Sequence, residues 1–217
     1  MSPIKGLIFD LDGVLVSTEH NHYIAWKTIA NRLGIPFSER ENESLKGLSR
    51  ESSLDMLLEL GHLKISDADF KVLLEQKNKA YLTSVAHLSA LDRLPGVTQL
   101  IEKAKKLGLL LGVGSASRNA NLILSKIELT KYMDTVVDGF SVKKTKPDPE
   151  VFLLAAKNLG LSPSECLVFE DAESGVKAAL DGGFAVIGVG NPALKTKAHS
   201  YLQTLEEFNL SAYEVVG

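Results

Sequence analysis

The chain has 217 residues, 45% apolar and 24% charged, which excludes a fibrous repeat and wholesale disorder. Its 24 basic and 27 acidic residues give a net charge of -3, so the basic excess expected of a nucleic-acid binder is missing. The single cysteine, Cys166, admits no internal disulfide, and no apolar run approaches the ~18 residues of a bilayer span. Asp10 and Asp12 interrupt the apolar start where a secretory leader would not tolerate them. These features predict a soluble cytoplasmic protein, a monomer, with neither nucleic acid nor membrane as partner.

The first element is a short buried strand, Ile4 to Phe9, ending at Asp10. From about Val16 to Leu91 only helical patterns follow. Trp26, Ile29, Ala30 and Leu33 share a helical face, with Gly34 as the stop. Leu54, Leu57, Leu58 and Gly61 mark a second helix. Ser66 opens a third, carrying Phe70, Leu73, Leu74, Lys77 and Tyr81 along one side. Pro95-Gly96 begins a helix that runs to Gly108, and a strand over 109–114 comes directly after it. A helix near 119–128, a strand at 135–137 and a helix near 149–159 follow. A strand at 166–169, a helix near 173–181 and a strand at 185–189 complete the series. Alternating strands and helices predict an α/β fold with a doubly wound, Rossmann-like parallel sheet. The excursion after the first strand is too long for a loop. It predicts a small α-helical cap over residues 16–91, inserted into a core of residues 1–15 and 92–217.

Ligands of an open parallel sheet bind at the carboxyl ends of its strands. The first strand leads into Asp10-Leu11-Asp12-Gly13, the second into Ser115, the fourth into Glu170-Asp171, and Lys146 lies in a loop before a helix. Each residue alone has an ordinary explanation as a turn former, a helix cap or a solvated charge. Their convergence on one sheet edge is the functional signal. Crowded carboxylates repel one another, and a hard divalent cation such as Mg²⁺ relieves this. Asp10 can project rigidly as a nucleophile. Asp12 is expected to keep a raised pKa and act as general acid and base. Lys146 can neutralise a phosphoryl oxygen, and Ser115 with the following N–H groups can form an anion site at a helix N-terminus.

The motif Asp10-Leu11-Asp12-Gly13-Val14 resembles the first motif of the haloacid-dehalogenase-type phosphotransferases. Ser115, Lys146-Pro147 and Glu170-Asp171 resemble that superfamily's other motifs in order, and the helical insertion resembles its α-helical cap. The segments His22–Lys27, Leu45–Glu51, Gln76–Asn78 and Ser115–Asn119 are similar to its β-phosphoglucomutase branch. The resemblance implies interconversion of β-glucose 1-phosphate and glucose 6-phosphate through a bisphosphate. It makes Asp10 the phosphorylated nucleophile and Asp12 the acid/base. Asp10, the Asp12 carbonyl, Glu170 and Asp171 would arrange Mg²⁺. Ser115, the Ala116 N–H and Lys146 would hold the transferring phosphate. Arg50, Ser117, Arg118 and Asn119 would hold the distal one. His22, Trp26, Lys77 and the turn Lys46-Gly47-Leu48 would shape the sugar pocket. That branch carries lysine where this chain has Arg118. The competing readings are a phosphatase for sugar phosphates or other small monoesters on the same scaffold, and a silent phosphosugar sensor.

Overall fold

The computed structural model describes residues 3–215. Six parallel strands, β1 (Gly6–Phe9), β2 (Leu110–Gly114), β3 (Thr135–Val137), β4 (Cys166–Glu170), β5 (Ala185–Val189) and β6 (Ser200–Leu202), lie in the order β3-β2-β1-β4-β5-β6. The chain runs outward from β1 to β3 and returns to place β4 beside β1, so the order reverses between those two strands. Phe9 pairs with Val113 on one side and Phe169 on the other, which carries Asp10, Ser115 and Glu170-Asp171 to the same edge. The fold is α/β and Rossmann-like, as the alternation predicts.

Side chains alternate across the central strands. Leu7, Phe9, Leu111, Val113, Leu167 and Phe169 face one layer, which holds α5 (Val97–Lys106) and α6 (Ala120–Lys126). Ile8, Val168 and Val186 face the other, which holds α7 (Glu150–Asn158) and α8 (Glu173–Asp181). Near-continuous apolar strands are what burial on both faces demands.

Between β1 and α5 lie α1 (Glu19–Leu33), α2 (Glu39–Glu43), α3 (Arg50–Leu60) and α4 (Asp67–Ser84). Trp26, Ile29 and Ala30 of α1 pack with Leu54, Leu57 and Leu58 of α3 and with Leu73 and Leu74 of α4. Gly34 ends α1 in the left-handed region at φ 69°, a conformation that costs glycine little. Tyr81 and Val85 at the end of α4 join the core cluster instead, so the returning chain is anchored against the sheet layer.

Two elements escape the periodicity reading. The five residues of α2, Glu-Arg-Glu-Asn-Glu, have no apolar stripe, and a Ser38–Glu41 capping box starts the helix instead. Strand β6 is a half-exposed edge of three residues. The helix expected over 119–128 is α6, only 120–126, so Ser115 lies in a loop ahead of it rather than at its first turn.

Candidate active site

Asp10 follows β1, and its N–H donates to the Phe169 carbonyl at 2.9 Å, locking it to β4. Lys146, 1% exposed, reaches in from the loop before α7, with Nζ 2.5 Å from Asp10 Oδ1 and in contact with Glu170 Oε1. The second Glu170 oxygen accepts from the Ala172 N–H at 2.9 Å. Burial pulls the Lys146 ammonium down, but Asp10 and Glu170 outweigh it and hold it well above its ordinary value. Burial pushes Asp10 up, Glu170 and Asp12 add to that, and Lys146 opposes it.

Asp171 is buried with no cation against it among the described residues. Burial, then Glu170, Asp10 and Glu19, drive it well above the ordinary carboxylate range. A Cβ on Gly13, which has φ 85°, would fall 2.1 Å from Asp171 Oδ2, so that carboxylate lies directly against the Asp12-Gly13 turn. The hard oxygens of Asp10, Asp171 and the Asp12 carbonyl therefore suit a small divalent cation. The four side chains do not converge equally. Among the described residues no three His, Cys, Asp or Glu side chains lie at metal-holding spacing. Glu170 is turned to Lys146 and the α8 backbone, and Asp12 is turned toward α1. Buried like charges seek separate partners, and these two have found them.

The Asp12 side chain differs from the expectation of a raised pKa. The Thr18 hydroxyl donates to Oδ1, and His22 Nε2 lies 3.7 Å from the same oxygen. Burial pushes Asp12 up, but His22, Thr18 and Lys77 together outweigh it, and the group falls below its ordinary value. Thr18 escaped the sequence reading because a threonine ahead of a helix reads as a cap.

A cleft of about 350 Å³ opens beyond Asp10 and Asp12, between the sheet edge and the helices. Its near wall carries Ser115, whose Oγ accepts from the Ser117 N–H at 3.0 Å. No hydrogen bond among the described residues takes the Ala116 N–H. The loop therefore offers donors to an anion although no helix begins there. The far wall carries Lys77, 4% exposed, whose Nζ is 2.9 Å from His22 Nδ1 and 4.9 Å from the Trp26 ring centre. Trp26 fills the helical core and lines the cleft as well. Burial, then Arg50, pushes Lys77 down to about 7, and burial with Lys77 lowers His22. While Lys77 is charged it can only donate, so His22 accepts on Nδ1 and turns its Nε2 proton toward Asp12.

Arg50 is the first residue of α3, where a cation opposes the helix dipole, and it has no carboxylate partner among the described residues. Arg118 lies opposite, its Nη1 2.6 Å from Glu51 Oε1, and Asn119 Nδ2 donates to Asn78 Oδ1 at 3.0 Å. Lys46 does not point its charge at the cleft's centre. Glu19 and Glu43 hold it at 2.9 and 3.0 Å, while its carbonyl accepts from Ser174 Oγ at 3.1 Å. Gly47, at φ 72°, lets the turn sit against α8, and Leu48 lines the cleft beside it. The predicted site residues thus share one cleft and its immediate backing. Glu51 and Asn78 stand in segments that carry the resemblance but were given no role by it, and Ser174 escaped the sequence reading as a single polar residue on a helix; all three bridge the cleft's walls.

The chain is 40% identical over 189 residues to a β-phosphoglucomutase of Bacillus subtilis, covering 86% of this chain and 84% of that one. It is 34% identical over 182 residues to a phosphorylated carbohydrates phosphatase of Thermotoga maritima, covering 83% and 82%. The crystal structure of β-phosphoglucomutase from Clostridium difficile matches with a TM-score of 0.93 at 35% identity, covering 96% of this chain and 95% of that one. The family description "Haloacid dehalogenase-like hydrolase" matches residues 7–189, and the chain belongs to that family.

Proposed function

We propose that the protein is a Mg²⁺-dependent phosphosugar mutase that interconverts β-glucose 1-phosphate and glucose 6-phosphate, with residues 16–91 acting as its cap. The observation that carries this reading is that separate cationic groups serve one cleft: Lys146 is buried directly behind Asp10, and Arg50 and Arg118 line the cleft itself. A hydrolase needs to grip one phosphate; a mutase must grip two and let the sugar turn over between them. The similarity to the Bacillus and Clostridium enzymes supports the same choice.

In this reading phospho-Asp10 gives its phosphoryl group to the sugar's free hydroxyl, while Asp12 takes the hydroxyl proton. The bisphosphate turns over, Asp10 attacks the other phosphorus, and Asp12 returns the proton to the departing oxygen. A low resting pKa suits the first half, and the first half supplies the proton for the second. Ser115, the Ala116 N–H and Lys146 hold the transferring group. Arg50, Arg118, Ser117 and Asn119 hold the distal one. His22, Trp26, Lys77 and the 46–48 turn confine the sugar. Asp10, Asp171 and the Asp12 carbonyl, with Glu170 behind them, would hold Mg²⁺, which would supply charge neutralisation where carboxylate meets phosphoryl group. The contacts of Lys46 with Ser174 and Asn78 with Asn119 draw the cap onto the core and exclude water.

The second reading, a phosphatase for sugar phosphates, has the Thermotoga relative in its favour. One incubation separates them. β-Glucose 1-phosphate with Mg²⁺ and a trace of β-glucose 1,6-bisphosphate gives glucose 6-phosphate from a mutase. Free glucose and inorganic phosphate as the main products would establish the phosphatase.

A further inference from the structure

Arg118 is held by Glu51 and Phe140, residues on both sides of the cleft. Glu51, from the second position of α3, takes Nη1 at 2.6 Å. The Phe140 ring lies 5.2 Å from Cζ and covers the guanidinium. Gly139 makes room for the stem: a Cβ there would fall 3.1 Å from Arg118 Cγ and 2.5 Å from the Ala116 carbonyl oxygen. Phe140 is 74% exposed, an arrangement that burial of the ring does not explain. Its position is nevertheless fixed. Asp138 Oδ1 accepts from the Phe140 N–H at 3.0 Å and the Ser141 N–H at 3.1 Å, pinning the turn that carries the ring.

A guanidinium has five N–H donors in a rigid plane, so one edge can serve a carboxylate while another serves a phosphate. A lysine ammonium in the same place would be shared between the two as a point charge. Arg50 lies close enough to Arg118 for the two guanidiniums to repel. Glu51, next to Arg50 in sequence and bonded to Arg118, offsets that repulsion. We propose that Glu51 and Phe140 are positioning residues that aim the free edge of Arg118 at the distal phosphate of a two-phosphate sugar. Because Glu51 rides on α3 and Arg118 on the core, the site is complete only when cap and core meet. The pair itself is 35% exposed on each side, so its contribution is geometry rather than stability. This inference rests on the distal-phosphate reading proposed above.

The test compares β-glucose 1,6-bisphosphate with acetyl phosphate, a donor with one phosphate, as phosphorylating agents of the intact Mg²⁺-loaded enzyme. Glu51→Gln should raise KM for the bisphosphate by about five- to twentyfold with kcat within about twofold, and move acetyl phosphate at least about fivefold less. Phe140→Ala should move the same ratio in the same direction. Arg118→Lys should also raise the bisphosphate KM, but adding Glu51→Gln to it should lower KM again, since the ammonium is then no longer shared. Equal effects on both donors, a lower bisphosphate KM for Glu51→Gln alone, or further loss in the double variant would each overturn the proposal. If Arg50→Ala and Arg118→Ala both leave the ratio of the two donors unmoved, the distal-phosphate reading itself fails, and Glu51 with it.

Discussion

Thr18 stands at the N-cap of α1 yet makes no capping bond; its hydroxyl donates to Asp12 instead. The residue is fully buried at the junction between the sheet edge and the helices. A helix start normally keeps its threonine hydroxyl for its own free N–H groups. Here the hydroxyl restrains a carboxylate on another segment, which couples the entry of α1 to the site. Thr18→Val keeps the shape and leaves Asp12 without this donor. It should cost about 1–2 kcal/mol in urea unfolding and lower mutase turnover by about tenfold or more, while Thr18→Ser stays near wild type. Wild-type turnover in the valine variant would show that the contact is only structural.

Lys146 is the cation between Asp10 and Glu170, and its neutral replacement leaves two buried carboxylates without it. Lys146→Met should therefore destabilise the fold by about 3–5 kcal/mol. Asp10→Asn takes away one carboxylate and relieves repulsion on Asp171, so it should change stability much less while abolishing phosphoryl-enzyme formation. Thermal unfolding and intact-protein mass after exposure to acetyl phosphate measure the two effects separately. A Lys146→Met protein as stable as wild type would contradict the charge-balancing role given to this lysine.

The sheet edge was legible because its signals are local and rigidly placed. Asp10 ends an apolar strand, Ser115 follows another, and parallel topology alone brings their ends together. Lys146 was legible only as part of that convergence, since its loop gives no sign that the side chain is buried. The side-chain orientation of Asp12 and Glu170 was not legible. It depends on Thr18, His22 and the Ala172 N–H, partners supplied by packing rather than by spacing. Lys77 shows the limit from the other side. Its place on an apolar stripe with Leu73, Leu74 and Tyr81 was visible, but not whether the chain there snorkels out or is enclosed.

That enclosure gives a pH dependence. Burial and Arg50 bring Lys77 to about 7, against an ordinary value of 10.5. The unfolded chain therefore binds more protons between those pH values, and stability rises with pH across that window. The cost of the buried charge is borne in full below about pH 7 and disappears once the unfolded lysine also loses its proton. Lys77→Met should stabilise the free protein by roughly 1–3 kcal/mol near neutral pH and flatten the slope between about pH 7 and 10. The same variant should weaken sugar phosphate binding, as expected where a strained site is kept for function. Urea midpoints across this range, for both proteins, check the sign. A wild-type stability that falls over this window relative to Lys77→Met would exclude it.

Gly47 sets how closely the turn at residues 46–48 approaches α8. Its φ of 72° disfavours any other residue, and a Cβ would fall 2.4 Å from Ser174 Oγ and 3.1 Å from Ala172 Cβ. Gly47→Ala turns the Ser174 hydroxyl away or shifts the turn off the core, and either way the bond from Ser174 Oγ to the Lys46 carbonyl is broken. The loss lies between two packed surfaces, so both can remain folded while the cleft stays ajar. In the proposed mechanism, water then competes with the sugar hydroxyl for phospho-Asp10. The variant should show a higher ratio of inorganic phosphate release to glucose 6-phosphate formation, by about tenfold, with phosphorylation of Asp10 by acetyl phosphate much less affected. Ser174→Ala, which removes the bond without the clash, should shift the ratio the same way but less. If both variants keep the wild-type ratio, closure at this turn does not govern the choice between sugar and water.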